Sequence, residues 1–343
     1  MSLTKRGKVV TVVAATLGAG IVGLGALAFT GNAPGPIQRI VDQAIHRPDP
    51  CPLTGETRGQ GRDAPRRPVM AVKIGNTEAA YPLSGLNDAD VIYEELVEGG
   101  ITRFVSLYQC NEPRRVGPVR SARTTDPRIL LQYADPPILA YSGASPAVTT
   151  YVEQVGVISL TETSANAAYT RDTSRIAPHN LYVSIKALYR EARGDDVDRS
   201  APEPVFDFSD EVPTPSKRAR SASVTFSFAT TAQWAWSHGR WVRLFGGEPF
   251  VLEGGDPLAV DNVLIQEVVV GSGIGSSPDV TLTGHGRAWL LRDGRLVPGR
   301  WTRLSLDDVT EFVTKAGDQF AFAPGTTFVE LVPKATGEIS FGR

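Results

Sequence analysis

Histidine and cysteine are scarce in this sequence, with four of the first and two of the second in 343 residues. No Cys-x-x-Cys or His-x-x-x-His spacing occurs, which excludes the common structural zinc designs, and nothing else points to a metal or an organic cofactor. An excess of charge of one sign is also missing. Thirty-five Lys and Arg face 37 Asp and Glu, a formal net charge of -2, so no global field draws the chain to nucleic acid and any anion site must be local. The Gly-x-Ser-x-Gly pattern is absent, which leaves Ser145, in the turn after the apolar run 138–141, as a cap for the following helix rather than a nucleophile. What is present is the composition of a folded soluble body, 41% hydrophobic and 21% charged, long enough for two domains.

Only one apolar run is long. Lys5, Arg6 and Lys8 precede the uncharged stretch from Val9 to Gly31, close to the ~20 residues of a spanning helix, with the positive charge holding its start in the cytoplasm. Ala26-Leu27-Ala28 matches a signal-peptidase site, so residues 1–31 read either as a cleaved signal peptide or as a retained anchor in the cytoplasmic membrane. Both fates export the remainder. In an oxidising compartment Cys51 and Cys110 are expected to pair, the alternative being two free thiols. Residues 32–67 are rich in Pro, Gly and charge and read as a tether with at most one short helix around 37–45.

The organising stretch is Val91 to Arg123. Val91–Val97 and Ile101–Tyr108 are β-branched and aromatic and flank Gly99-Gly100, which predicts a hairpin with a two-residue turn. That turn would set Leu96 opposite Arg103 and Glu94 opposite Val105, with Glu94, Glu98 and Arg103 on one face and Glu95 on the other. The loop that follows carries Arg120, Ser121 and Arg123 just before a helix expected over 127–133. Helices are also expected over 147–155 and 185–192. Between these two lies the polar segment 169–182, where His179 is accompanied by Asp172, Arg175 and Asn180. A second linker-like stretch ends at 223, after which short alternating strands take over. They include hairpins at Asp293-Gly294 and Pro324-Gly325 and a buried-type strand over 262–270. The expected architecture is therefore α+β. A mixed α/β N-terminal domain (68–200), a linker (201–223) and a smaller, mostly antiparallel β C-terminal domain (224–343) follow the tether.

Four blocks, Val72 to Asn76, Asp90 to Phe104, Val116 to Arg123 and Ala177 to Tyr182, resemble the YerB-like family of bacterial lipoproteins. The resemblance runs from about Cys51 through the β-rich second half. It implies a bacterial cell-envelope protein of two domains and brings no established reaction. The chain departs from that pattern in having no cysteine directly after the hydrophobic run, which replaces lipidation by a helical anchor or plain secretion.

Two functions from different classes follow. In the first, an extracytoplasmic module binds an anionic or glycan ligand, such as a cell-wall polymer, through Arg103, Arg120, Ser121, Arg123, Arg175 and Asn180. In the second, a cell-wall hydrolase or transferase uses His179 with Glu94 or Glu95 while the arginines stabilise negative charge. Both need the ribbon, the arginine bend and the His179 segment to meet at one place.

Overall fold

Met70–Asn76 (β1), Val91–Leu96 (β2) and Thr102–Tyr108 (β3) are buried at almost every position, so both of their faces are covered. A computed structural model describes residues 48–59, 62–192, 197, 199–274 and 277–343. The hydrophobic run 9–31, the short helix expected around 37–45 and His46 lie outside the described residues. Among those described, no helix is long and apolar enough to cross a membrane. All elements below belong to one unit, Pro50–Arg58 with Asp63–Arg343.

The three strands sit inside a 12-stranded mixed sheet. β3 lies between β2 and β1, and β1 pairs in parallel with Ile138–Ala140 (β4), which pairs in parallel with Ile158–Leu160 (β5). On the other side of β2 lies Thr327–Pro333, parallel both to β2 and to Asn262–Ser272. Gly284–Arg292, Arg295–Arg303 and Glu311–Thr314 continue the sheet outward. One strand near the end of the chain therefore stitches residues of both halves into a single hydrogen-bonded layer.

One face of that layer, with Ile92, Phe104 and Phe328, packs on Val224, Trp234 and Trp241 of a second, antiparallel sheet of six strands and on Phe226 beside it. The opposite face, with Val105, Leu107 and Val329, is covered by Ile129 and Leu130 of the helix Thr125–Leu130, Val148 and Val152 of the helix Pro146–Gln154, and Phe206, Phe320 and Phe322. That helix and Ile185–Glu191 start near their expected positions, with the Ser145 and Ser184 hydroxyls accepting from Val148 and Ala187 N–H.

The expected fold class is corrected. Strands dominate the described residues, and three helices of six, nine and seven residues are too short to layer an α/β domain. The central strands satisfy their double-faced hydrophobicity mainly with a second sheet and aromatic loops. The supposed C-terminal antiparallel unit also contributes parallel pairings. Pro324-Gly325 is not a hairpin turn, because Ala321–Phe322 pairs with Asp207–Phe208 while Thr327–Pro333 leaves to join β2. Asp293-Gly294 is the expected turn, both residues taking positive φ (50° and 65°).

The first hairpin forms with a different register. Glu98, Gly99 and Gly100 make a three-residue turn, with the glycines at φ 74° and 76°, and Val97 N–H donates to Ile101 O. The odd loop shifts the pairing by one residue, so Glu95 faces Arg103 and Glu94 faces Phe104. A one-residue slip moves side chains between faces. Glu94 therefore joins the second-sheet side and Glu95 the helix side.

Cys51 and Cys110 are disulfide-bonded across a sequence separation of 59, and both are buried. The Asp90 carboxylate accepts the Cys110 N–H (3.0 Å) and that of Gln109. Replacing both cysteines with serine is expected to lower stability by up to about 4 kcal/mol, through the entropy of the opened loop, as read by urea denaturation.

Candidate functional site

Arg103 points from β3 to the helix side of the sheet, where it is 8% exposed. The loop 116–123 is held above it as an added strand segment. Gly75 N–H donates to Pro118 O and Arg120 N–H to Lys73 O, while Ser142 N–H and Ala122 N–H tie the loop to the segment after β4. These bonds fix where the arginine side chains leave the backbone. Gly75 supplies the room, since a Cβ there would lie 2.7 Å from Arg120 Cγ.

The guanidinium groups converge. Arg103 Nη1 (2.9 Å) and Arg123 Nη1 (3.4 Å) donate to the same oxygen, Ser121 O, so the role of Ser121 here runs through its carbonyl. Arg123 is neutralised by Glu98, with Nε 2.8 Å from Oε2. Arg120 Nη1 donates to Pro178 O (3.2 Å), which sets the half-buried His179 beside it. Among the described residues neither Arg103 nor Arg120 has a carboxylate within salt-bridge distance. Burial and then the Arg123 and Arg120 charges push Arg103 down to about 10, and burial and Arg123 lower Arg120 as well. Both remain cations at neutral pH. A cluster of like charges in partial burial is relieved by an anion.

The remaining candidates divide. Arg175 is spent on structure, with Nη2 on Ala80 O (2.7 Å) and Tyr81 O (3.0 Å) and Nη1 on Pro82 O (3.0 Å). Asn180 is buried and its Oδ1 accepts from Arg171 (3.1 Å). His179 is held below the ordinary imidazole range by burial and by Arg120 and Arg175, so it is neutral at pH 7, and its Nδ1 is buried without a partner among the described residues. No hydrogen bond joins His179 to Glu94 or Glu95 among the described residues.

Both glutamates lie at 0% exposure in separate charged clusters. Glu95 is ion-paired to Lys73, which also holds Asp126 at 2.6 Å, and all three are fully buried. On the opposite face Arg243 Nη1 lies between Glu94 Oε2 (2.8 Å) and Glu330 Oε1 (2.9 Å). Thr102 and Asn76 donate to the other Glu94 oxygen, and Trp234 Nε1 donates to Glu330. Burial and the neighbouring Glu94 raise Glu330 well above the carboxylate range, which favours its neutral form. Arg243 and Glu330 went unnoticed in the sequence although a signal was there. Trp241 and Arg243 fall on the same face of an alternating strand, and Glu330 interrupts Phe-Val-Glu-Leu-Val, so two inward charges demanded partners.

Residues 53–198 match the N-terminal domain, and residues 222–329 the C-terminal domain, of a family described as protein of unknown function (DUF3048). A Bacillus subtilis (strain 168) protein described as "Putative lipoprotein YerB" is 28% identical over 295 residues, covering 82% of this chain and 86% of its own length. The crystal structure of the B. subtilis YerB protein superposes with a TM-score of 0.73 at 25% identity, over 85% of this chain and 99% of that one.

Proposed function

Because the chain belongs to the YerB-like family, the one defined by paired N- and C-terminal domains of DUF3048, we propose that it is an extracytoplasmic cell-envelope protein that binds an anionic ligand at Arg103 and Arg120, with Arg123 and His179 alongside. The observation that carries this reading is the convergence of guanidinium groups of which two have no carboxylate partner among the described residues. Arg123 with Glu98 locks the bend, and Arg103 and Arg120 supply charge and fork-shaped donors suited to phosphate or carboxylate oxygens. Extracytoplasmic placement is supported by the exported-type run 9–31, the disulfide and the lipoprotein description of the Bacillus relative.

Sedimentation of the full chain with isolated cell wall tests the reading. Wild type is expected to pellet with wall, less so as salt rises, and Arg120→Gln to bind about tenfold more weakly through loss of one charge-assisted contact. Binding indifferent to both salt and Arg120 would remove the proposal. Release of soluble wall fragments that His179→Ala abolishes would favour the hydrolase or transferase alternative.

Gly75→Ala is a quieter probe of the same geometry. The added methyl displaces Arg120 without touching a charge, so affinity is expected to fall several-fold while stability changes by less than about 1 kcal/mol, measured by wall binding and thermal melting in parallel.

A further inference from the structure

A cavity of about 230 Å³ opens on the second-sheet side of the central sheet. Arg243 and Asn76 contribute its polar lining, Tyr81, Phe245 and Phe250 form an aromatic wall, and Thr77 lies at its edge. Tyr81 meets Phe245 edge-on (ring centroids 5.3 Å, 83°) and Phe250 likewise (4.6 Å, 73°), so the three rings hold one another in place. Phe245 nevertheless remains 47% exposed, an apolar ring presented to solvent at a cavity lip.

The polar groups are unusual in what they leave unused. Arg243 is more than nine-tenths buried, and the described bonds and ion pairs of its side chain run through Nη1, leaving Nε and Nη2 for the cavity that it lines. The Thr77 hydroxyl is buried and has no partner among the described residues. The charge of Arg243 is balanced by Glu94, and Glu78 adds a negative charge at the rim, so donors are present here without a positive field. An anion gains little there, whereas a neutral group rich in acceptors and hydroxyls gains hydrogen bonds. The volume lies below the roughly 300–1,000 Å³ of drug-sized ligand pockets and admits one ring rather than several peptide residues.

We propose that this cavity binds one ring of an uncharged sugar, its apolar face against Phe245 and Tyr81 and its hydroxyl edge on Arg243 and Thr77. A sugar ring offers the same combination of one C–H face and a hydroxyl periphery. The site shares no residue with the arginine cluster and stands or falls separately from it.

The test is calorimetric titration of the full chain with neutral tetrasaccharides of glucose, mannose and N-acetylglucosamine, with triglycine amide for comparison. The expected result is binding of at least one sugar, weakened about tenfold or more by Phe245→Ala and by Thr77→Val, and unaltered by Arg120→Gln. Absence of sugar binding at millimolar concentration would overturn the proposal. So would equal binding by a folded Phe245→Ala protein, and binding of the peptide in place of the sugars would overturn the assignment of ligand class. Loss of wall binding in Arg120→Gln with sugar binding intact separates this site from the anion site.

Discussion

Arg243→Met is expected to destabilise the protein by about 3–5 kcal/mol at neutral pH, whereas Glu330→Gln changes stability by less than about 1 kcal/mol. Arg243 is the cation of a cluster whose two carboxylates are both at 0% exposure. Removing it strands Glu94 as an uncompensated buried charge beside Glu330, whose neutral form burial already favours. Glutamine at 330 keeps what the neutral acid supplies, an oxygen for Trp234 Nε1 and a donor toward Glu94. The triple change Arg243→Met, Glu94→Gln, Glu330→Gln should recover much of the loss, because no buried charge is then left over. Urea denaturation of the four proteins measures all three expectations, and an Arg243→Met protein as stable as wild type would contradict the assignment of charges.

Lys73→Met is the second large effect, again about 3–5 kcal/mol near pH 8, since it leaves Glu95 and Asp126 facing each other with no cation between them. This cluster also sets a pH dependence in the unmutated protein. Burial, and secondarily Asp126, raise Glu95 to about 7 against the opposing pull of Lys73, and burial raises Asp90 to about 6. A carboxyl whose folded value exceeds its unfolded one binds more protons in the folded state, so its stabilising contribution is complete below the unfolded value and is lost as pH rises through the folded one. The window runs from about 4 to about 7, and wild type is expected to be more stable near pH 5 than near pH 8. Glu98, Glu253 and Asp172 are shifted downward and withdraw stability only below the ordinary carboxylate range. In Lys73→Met the pH slope steepens, because Glu95 loses the cation that most favoured its charge. Denaturation midpoints that rise steadily from pH 5 to pH 8 would contradict this account.

Much of the local structure could be read from residue order. The β-branched runs gave β2 and β3, a serine cap fixed the start of one helix, and Asp293-Gly294 made its turn. Two things escaped, for different physical reasons. The Gly-Gly pair allowed turns of two or three residues, and recruitment of Glu98 into the turn moved Glu95 rather than Glu94 beside Arg103. Local sequence does not encode that choice, because both registers bury apolar side chains on each face. The parallel insertion of Thr327–Pro333 between β2 and Asn262–Ser272 is likewise invisible in a pattern of short alternating strands, since periodicity specifies a strand and not its neighbour. Arg103 and Arg123 share Ser121 O and Arg120 reaches Pro178 O, while Arg175 bonds to the carbonyl of Ala80 and Asn180 to Arg171. The charge pairing of Arg243 became visible only once distant strands were brought together.

Arg103 and Arg120 have carbonyl partners and no carboxylate among the described residues, and the proposed function requires that they bind an anion. Calorimetric titration of the full chain with pyrophosphate, at low and high salt and with Arg120→Gln in parallel, examines it without wall material. The account predicts measurable binding at low salt that weakens as salt is added and drops about tenfold in the variant. No heat of binding at low salt, or equal affinity in wild type and variant, would contradict it.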